Sequence, residues 1–326
     1  HPTKDQPMHV TLIVNPRSGG DRTRRIIGDL LGTIRHHFPD AQTQLTSAPG
    51  HAIQLARDAA HQGTDLVVSI GGDGTLNEVV NGLMLAKEQD NLSTLPQLGV
   101  LPQGTGGDFR RTFGVEHRFE AYLQKLKEDV SRPLDIGRAT FLNHEGQTTT
   151  RYFANILSVG VAGLVDQYVA DSSRAMGGSA AYFTSSLKAI QRCALAQLRC
   201  TIYERVSGQP EERVLHLRSR NLAICNGQFF GGGMKVAPMA DPQDKTFDLI
   251  NFNTTTKVQL TYLFRSIYEG THTQLDTVQH TQAARLDIEL LNDDVRDTFL
   301  LDVDGEALGT LPLRIELVPH ALQLKL

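Results

Sequence analysis

Gly71, Gly72, Asp73, Gly74 and Thr75 sit inside SIGGDGTLNEVVNGL, residues 69–83, between an apolar run and an amphipathic one. Three glycines and a carboxylate on one corner have a chemical reading. Residues without side chains let a phosphate approach the main chain closely. A helix opening at that corner adds N–H groups and a field that favours anions. Asp73 is the odd member, because a carboxylate repels a phosphate. Either Mg²⁺ stands between them, or Asp73 handles a proton, or it only caps the following helix. The first two readings point to phosphoryl transfer. GxxxxGK[ST] and GxGxxG are both absent, which argues against P-loop ATPases and ordinary dinucleotide-binding dehydrogenases.

Other segments carry groups of the same kind. NPRSGG, residues 15–20, offers Asn15, Arg17 and Ser18, and Arg22, Arg24 and Arg25 follow. Positive charge on the first turns of a helix opposes the helix dipole, a conflict that a bound anion removes. LPQGTGGDF, residues 101–109, offers Gly104, Thr105 and Asp108, then Arg110 and Arg111, which suit phosphate oxygens. In LDVDGEALG, residues 301–309, an extended chain puts Asp302, Asp304 and Glu306 on one face unless Gly305 breaks the alternation. Carboxylates so close do not all ionise without cost, so one of raised pKa is a candidate general base. The plain alternative is an acidic hairpin corner in water. Within residues 226–249, Asp241 and Asp244 carry oxygens suited to a hard cation.

The elements that must position these residues alternate through the first ~130 positions. Residues 9–14, 41–46, 66–70 and 98–101 read as strands, the last stopped by Pro102. Between them Ile26, Leu30 and Ile34, then Ala52, Leu55 and Ala59, then Leu76, Val80 and Leu83 recur at helical spacing. Strand–helix alternation predicts a parallel sheet with helices on both faces, a Rossmann-like α/β domain over residues 1–132. Such sheets bind ligands beyond the carboxyl ends of their strands, where all three glycine loops fall. From about residue 133 to 326 alternating runs dominate, with hairpin signals at residues 143–147 and 207–210. They predict an antiparallel β-sandwich interrupted by helices near residues 180–191 and 258–268.

Composition narrows the classes. The 326 residues are 40% hydrophobic and 21% charged, with a net charge of −4 and no tryptophan. Without a basic excess, nucleic-acid binding is not expected. Cys193, Cys200 and Cys225 form no CxxC, as expected of reduced thiols in a cytoplasmic protein. No run of 18 apolar residues occurs and no signal-peptide pattern opens the sequence, so any membrane is met from its surface.

In order, IVNPRSGG, SIGGDGTLNEVVNGL, LGVLPQGTGGDFRRTFG, GGGMKVAP and DGEALGTLPLRIELVPHAL resemble the diacylglycerol-kinase catalytic-domain family, which includes soluble bacterial lipid kinases and the sphingosine and ceramide kinases. The resemblance covers nearly the whole chain. It implies an ATP-dependent lipid kinase with Mg²⁺, an N-terminal ATP-binding domain, a C-terminal lipid domain and a cleft between them. Nucleotide contacts then fall on Asn15, Arg17, Thr46, Gly71, Gly72, Asp73, Gly74, Thr75, Leu76, Asn77, Gly104 and Thr105. Glu306, Asp304 and Asp73 are the candidates for proton and cation handling. A structural Mg²⁺ implied for the loop 241–246 uses the Asp244 carboxylate with the carbonyls of Asp241 and Thr246. Two positions depart from the family pattern: Gly107 replaces an asparagine, and Lys245 stands where a glycine is usual. The acceptor implied is a diacylglycerol-like, phosphatidylglycerol-like or sphingoid lipid, with transient contact at the membrane surface; from the residues themselves, the apolar interior of the β-rich domain and the helix near residues 182–190 are the candidate lipid-site material, and a homodimer is the expected oligomer. A NAD kinase or sugar-phosphate kinase, and a nucleotide-binding regulator without turnover, are the rival readings.

Overall fold

The computed structural model describes residues 8–19, 22–103, 107–171, 185–186, 188–254 and 256–326. The chain divides into two compact units, residues 1–135 with 319–326, and residues 136–318.

The first unit is built on β1 (Val10–Val14), β2 (Gln42–Leu45), β3 (Leu66–Gly71) and β4 (Gln97–Pro102), in the spatial order β2-β1-β3-β4 and parallel throughout. β1 and β3 are buried at every position, as their unbroken apolar runs require of a sheet covered on both faces. Helices α1 (Arg22–His37), α2 (His51–His61) and α3 (Asp73–Glu88) are the connections. The predicted stripe on α3 is the buried one: Leu76, Val79, Val80, Leu83 and Met84. Full burial of each such side chain stabilises by about 1.5–3 kcal/mol. Gly82 lets α2 and α3 meet, since a Cβ there would lie 2.2 Å from the Ile53 carbonyl oxygen. Short α4 (Asp108–Thr112) and then α5 (Phe119–Lys127) follow β4. The chain's last residues return to this unit and pair in parallel with β4, Leu324 opposite Leu98. There the buried Lys325 ammonium donates to the carbonyls of Leu126 and Glu128 at the end of α5.

The second unit is antiparallel. It comprises most of β5 (Arg132–Asn143), then β6 (Thr148–Phe153), β7 (Ile156–Gly160), α6 (Val161–Asp171), β8 (Ala196–Val206), β9 (Gln209–Ser219), β10 (Asn221–Cys225), β11 (Phe229–Phe230), β12 (Met234–Lys235) and β13 (Phe247–Phe252). After these come α7 (Lys257–Glu269), β14 (Val278–Ala283), β15 (Arg285–Leu290), β16 (Leu300–Val303) and the greater part of β17 (Glu306–Lys325). Both expected hairpins form, β5–β6 and β8–β9. One sheet runs β14-β13-β10-β7-β16-β17. Alternation sorts its side chains. Leu157, Val159, Leu222, Ile224, Leu301 and Val303 enter one core layer with Leu198, Ile202 and Ile288. Ile156, Ala223, Cys225 and Ile250 face the other way, into a layer with Val161, Leu164 and Val165 of α6 and Leu263 and Ile267 of α7. The three cysteines are unbridged and buried. Among the described residues no helix is long and apolar enough to cross a membrane.

Candidate active site

In the first unit the parallel register brings the glycine loops to one edge. Val14 lies opposite both Leu45 and Ile70, and Ile70 opposite Leu101. Three further main-chain bonds extend the ladder: Asn15 N–H to the Ile70 carbonyl (2.9 Å), Thr46 N–H to that of Val14 (2.9 Å), and Gln103 N–H to that of Gly71 (2.8 Å). Asn15, Thr46, Gly71 and Gln103 therefore stand side by side at the carboxyl tips of β1, β2, β3 and β4. Gly104 and Thr105 lie outside the described residues.

The two glycines of the β3 corner do different work. A Cβ on Gly71 would sit 2.4 Å from Thr75 Oγ1, so that glycine is required by packing. Thr75 Oγ1 in turn accepts a hydrogen bond from Asn15 Nδ2 at 3.2 Å, and Asn15 Oδ1 accepts the Arg17 amide at 3.0 Å. Gly72 has ordinary extended backbone, φ −82° and ψ −175°, and among the described residues no atom beyond its chain neighbours lies within 4 Å of the place where its Cβ would go. It is the N-cap of α3, and no side chain caps the helix. An open space over the first amides of a helix is the seat an anion requires.

Asp73 is the first residue of α3, one past the N-cap Gly72. Its Oδ2 accepts the main-chain N–H of Asp108 at 2.9 Å, tying the β3 corner to the β4 corner. Asp108 is buried and paired with Arg111 at 3.3 Å, while Arg110 donates to the Val115 carbonyl at 3.0 Å. The two arginines thus brace the corner locally. Gly107 has φ +68°, a left-handed conformation that glycine and asparagine both adopt readily. The exchange of asparagine for Gly107 keeps the backbone and removes only a side chain. Leu76 and Asn77 are buried, and Asn77 is held by Asn81 Nδ2. Glu78, which sequence reasoning passed over, reaches from α3 to accept the N–H groups of Gly50 (2.8 Å) and Ala52 (3.0 Å) at the start of α2.

In the second unit the acidic segment departs from the extended reading. Asp304 (φ +49°) and Gly305 (φ +91°) form a two-residue turn that puts Val303 opposite Glu306 and Asp302 opposite Ala307. Asp302, Asp304 and Glu306 therefore do not share a strand face. The Asp-Gly pair favours this turn because both positions need positive φ. The Asp304 carboxylate clamps it, accepting N–H groups from Ala154 (3.1 Å), Asn155 (3.1 Å) and Ile156 (2.9 Å). Glu306 is partly exposed and pairs with Arg151 at 3.3 Å.

Asp302 is buried on the helix-facing side of the sheet, and its Oδ1 accepts the Gly305 N–H at 2.7 Å. It is hydrogen-bonded to Asp166 of α6, a residue absent from the sequence expectations. Burial raises both carboxyls, Asp166 to about 7 and Asp302 well above the ordinary aspartate range, with mutual repulsion adding to the second. The one sequence signal for Asp166 was an acid inside the apolar helix VAGLVDQYVAD.

The loop proposed for a structural cation is a hydrogen-bonded turn. Asp241 Oδ1 accepts the Gln243 amide and Asp244 Oδ1 the Thr246 amide, both at 3.1 Å, and the Asp241 carbonyl accepts the Asp244 amide at 3.3 Å. Lys245 has φ +67°, which accounts for glycine as the usual residue there. Among the described residues no group of three or more His, Cys, Asp and Glu side chains is placed to hold a metal ion. Of the helical stretch expected for lipid contact, residues 182–184 and 187 lie outside the described residues, and Ala189 and Ile190 are buried in the α6–α7 layer.

Comparison with known proteins adds to this geometry. Residues 9–139 match the family described as the diacylglycerol kinase catalytic domain, and residues 155–326 the YegS C-terminal NAD kinase beta sandwich-like domain. A Bacillus subtilis (strain 168) protein named "Putative lipid kinase YtlR" is 29% identical over 333 residues, covering 97% of this chain and 99% of that protein. A protein of the same strain named diacylglycerol kinase is 28% identical over 303 residues, 92% of this chain and 90% of its own. A solved structure titled as a diacylglycerol kinase from Bacillus anthracis strain Sterne aligns with a TM-score of 0.72 at 23% identity, covering 99% of this chain and 98% of that one, a likeness of fold.

Proposed function

The chain belongs to the diacylglycerol kinase family, with the catalytic domain followed by the YegS-type C-terminal domain, and on that premise we propose that it transfers the terminal phosphoryl group of ATP to a lipid hydroxyl. The observation that carries the nucleotide half is the open seat at Gly72, over the uncapped start of α3 and level with Asn15 and Thr46 at neighbouring strand tips. The main-chain N–H groups of Asp73, Gly74 and Thr75 bind phosphate oxygens there. Thr46 and Arg17 contact the same nucleotide.

Mg²⁺ fits this corner as a nucleotide-borne ion, because phosphates supply most of its ligands and one or two carboxylates complete the set. Asp73 is the carboxylate that would hold it, and the ion would offset charge on the transferred group. Asp73 also braces the β3 and β4 corners through Asp108.

Glu306 is the proton acceptor in this reading. Its carboxylate is partly exposed and pairs with Arg151, whereas that of Asp304 accepts three main-chain amides. Asp304 shapes the turn and Glu306 works from it. Arg151 orients Glu306 until the lipid hydroxyl gives up its proton. A lipid acceptor brings the enzyme to a membrane surface during turnover.

The test is a phosphoryl-transfer screen with labelled ATP over diacylglycerol, monoacylglycerol, phosphatidylglycerol and sphingoid bases, read by partition of label into an organic phase. Label in the lipid with wild type, with a loss of about 10²–10⁴-fold in Glu306→Gln at unchanged ATP affinity, is the expected result. Full activity in Glu306→Gln removes Glu306 from the chemistry, and transfer only to water-soluble acceptors ends the lipid reading.

A further inference from the structure

Four features meet beneath the turn that carries Glu306. First, β16 places Asp302 on the helix-facing side of the sheet, opposite Ser158 of β7. That layer is mainly apolar, with Ile156, Val161, Leu164 and Ala223 in it and the buried Ser158, Arg220 and Asn221 as polar members. Second, Ser158 is fully buried, and its Oγ has no hydrogen-bond partner among the described residues. Third, α6 is fixed directly above. The Val161 N–H donates to the Arg220 carbonyl and the Ala162 N–H to Asn221 Oδ1, both at 2.9 Å. Gly163 lies so close to β16 that a Cβ would meet the Leu300 carbonyl oxygen at 2.3 Å. One helical turn further on, the same approach brings Asp166 against Asp302. Fourth, the Asp302 carboxyl holds the turn itself through the Gly305 N–H at 2.7 Å.

We propose that Asp166 and Asp302 form a proton-sharing pair that positions the Asp304–Gly305 turn, and with it Glu306, for the transfer; this rests on the reading of Glu306 as proton acceptor. Two hydrogen-bonded carboxyls in a mainly apolar layer cannot both ionise without a large desolvation and repulsion cost. While the pair keeps a proton, the acids bond to each other and Asp302 keeps the Gly305 amide. When it loses that proton to solvent, two charges face each other with Asp304 beside them. Among the described residues the charged groups around the pair lie on the neighbouring turn. Asp304 is tied to the amides of residues 154–156, Glu306 is paired with Arg151, and β7 offers only the Ser158 hydroxyl. With α6 anchored at its first turn, the repulsion falls on the Asp302–Gly305 bond. Asp166 and Asp302 touch no reacting atom in this reading; they are positioning residues.

Asp166→Asn and Asp302→Asn keep shape and an acceptor oxygen while removing the titration. The decisive measurement is the pH dependence of lipid phosphorylation. Wild type should lose activity about tenfold per pH unit above the pair's ionisation. Each variant should show kcat about tenfold lower near pH 6.5, as outer-shell changes commonly do, with the alkaline fall abolished and KM for ATP unchanged. Two further readouts need no turnover. A protonated-carboxyl infrared band should be present in wild type at pH 7 and absent from the double variant. The stability sign follows from a folded pKa of about 7 for Asp166 against an unfolded value of about 3.9. Between these values the native state holds a proton that the unfolded state has released, so wild-type stability falls as pH rises. Asp166→Asn lacks that loss, and its stability relative to wild type should rise from pH 4 to pH 7. An unchanged alkaline limb in both variants, or no carboxyl band, overturns the proposal. If Asp302→Asn fails to fold, the Asp166→Asn profile decides. If no lipid is phosphorylated at any pH, the kinase reading and the positioning role fall together, while the band and the stability shift still report whether the pair holds its proton.

Discussion

Gly71 and Gly72 are adjacent and chemically identical, yet the structure assigns them opposite consequences when each is changed to alanine. At Gly71 the new Cβ would sit 2.4 Å from Thr75 Oγ1 and 2.7 Å from Thr75 Cβ. Something must move, and the neighbours are the buried Thr75 and the Asn15 side chain bonded to it. Overpacking of this kind costs about 1–3 kcal/mol. At Gly72 the Cβ meets nothing within 4 Å among the described residues beyond its chain neighbours, and the backbone is one that alanine adopts freely. Loss of unfolded-state freedom stabilises the variant by about 0.4–1 kcal/mol, and a poorer N-cap offsets a few tenths of that. The Gly72→Ala protein should therefore be as stable as wild type. Its methyl group, however, fills the seat proposed for a phosphate. If that displaces one amide–phosphate bond, at about 1.5–3 kcal/mol for a hydrogen bond to a charged group, ATP affinity falls about 10–100-fold at 1.4 kcal/mol per tenfold. Urea denaturation and titration calorimetry with a non-hydrolysable ATP analogue separate the two effects. Wild-type affinity in Gly72→Ala would refute the phosphate seat, because no other consequence of that substitution is available to mask it.

Two further outcomes follow from the turns. Asp304→Ala leaves the amides of Ala154, Asn155 and Ile156 without their acceptor and should cost about 2–4 kcal/mol in urea denaturation. Asp304→Asn, which tolerates φ +49° and keeps one oxygen, should cost less than half as much; equal losses would show that the clamp contributes nothing. Gly107→Asn should fold with stability within about 1 kcal/mol of wild type, since asparagine accepts φ +68° and only the far end of Arg110 must shift, whereas Gly107→Val should lose about 1–2 kcal/mol. Equal stability of the two variants, by thermal melting, would contradict the left-handed assignment.

What the sequence made legible tracks the range over which each interaction acts. The strands and helices of the first unit follow from apolar periodicity, a local signal, and parallel strands in register then place their following loops at one edge. That is why Asn15, Thr46 and Gly71 converge as their positions imply. At the acidic corner the sequence left two outcomes open, a shared strand face or a hairpin corner broken at Gly305, and the Asp-Gly turn realises the second, splitting Asp302 from Glu306. Asp166 lay beyond any local rule. It reaches Asp302 across 136 positions, and nothing in VAGLVDQYVAD says which strand the helix will cover.

The cause is Gly163. Its missing side chain lets α6 press onto the carbonyl of Leu300, and one turn later that approach becomes a contact between two acids. A side chain at Gly163 would lift the helix and give each carboxyl room to hydrate. In the proposed pairing, this glycine's close approach to Leu300 is what brings Asp166, three residues on, toward Asp302. Glycine in the phosphate loops works the other way, leaving space where a ligand belongs. Reading this chain means deciding, glycine by glycine, whether the absent side chain was removed for a neighbouring backbone or for a guest, and only the distances around each Cα distinguish the two.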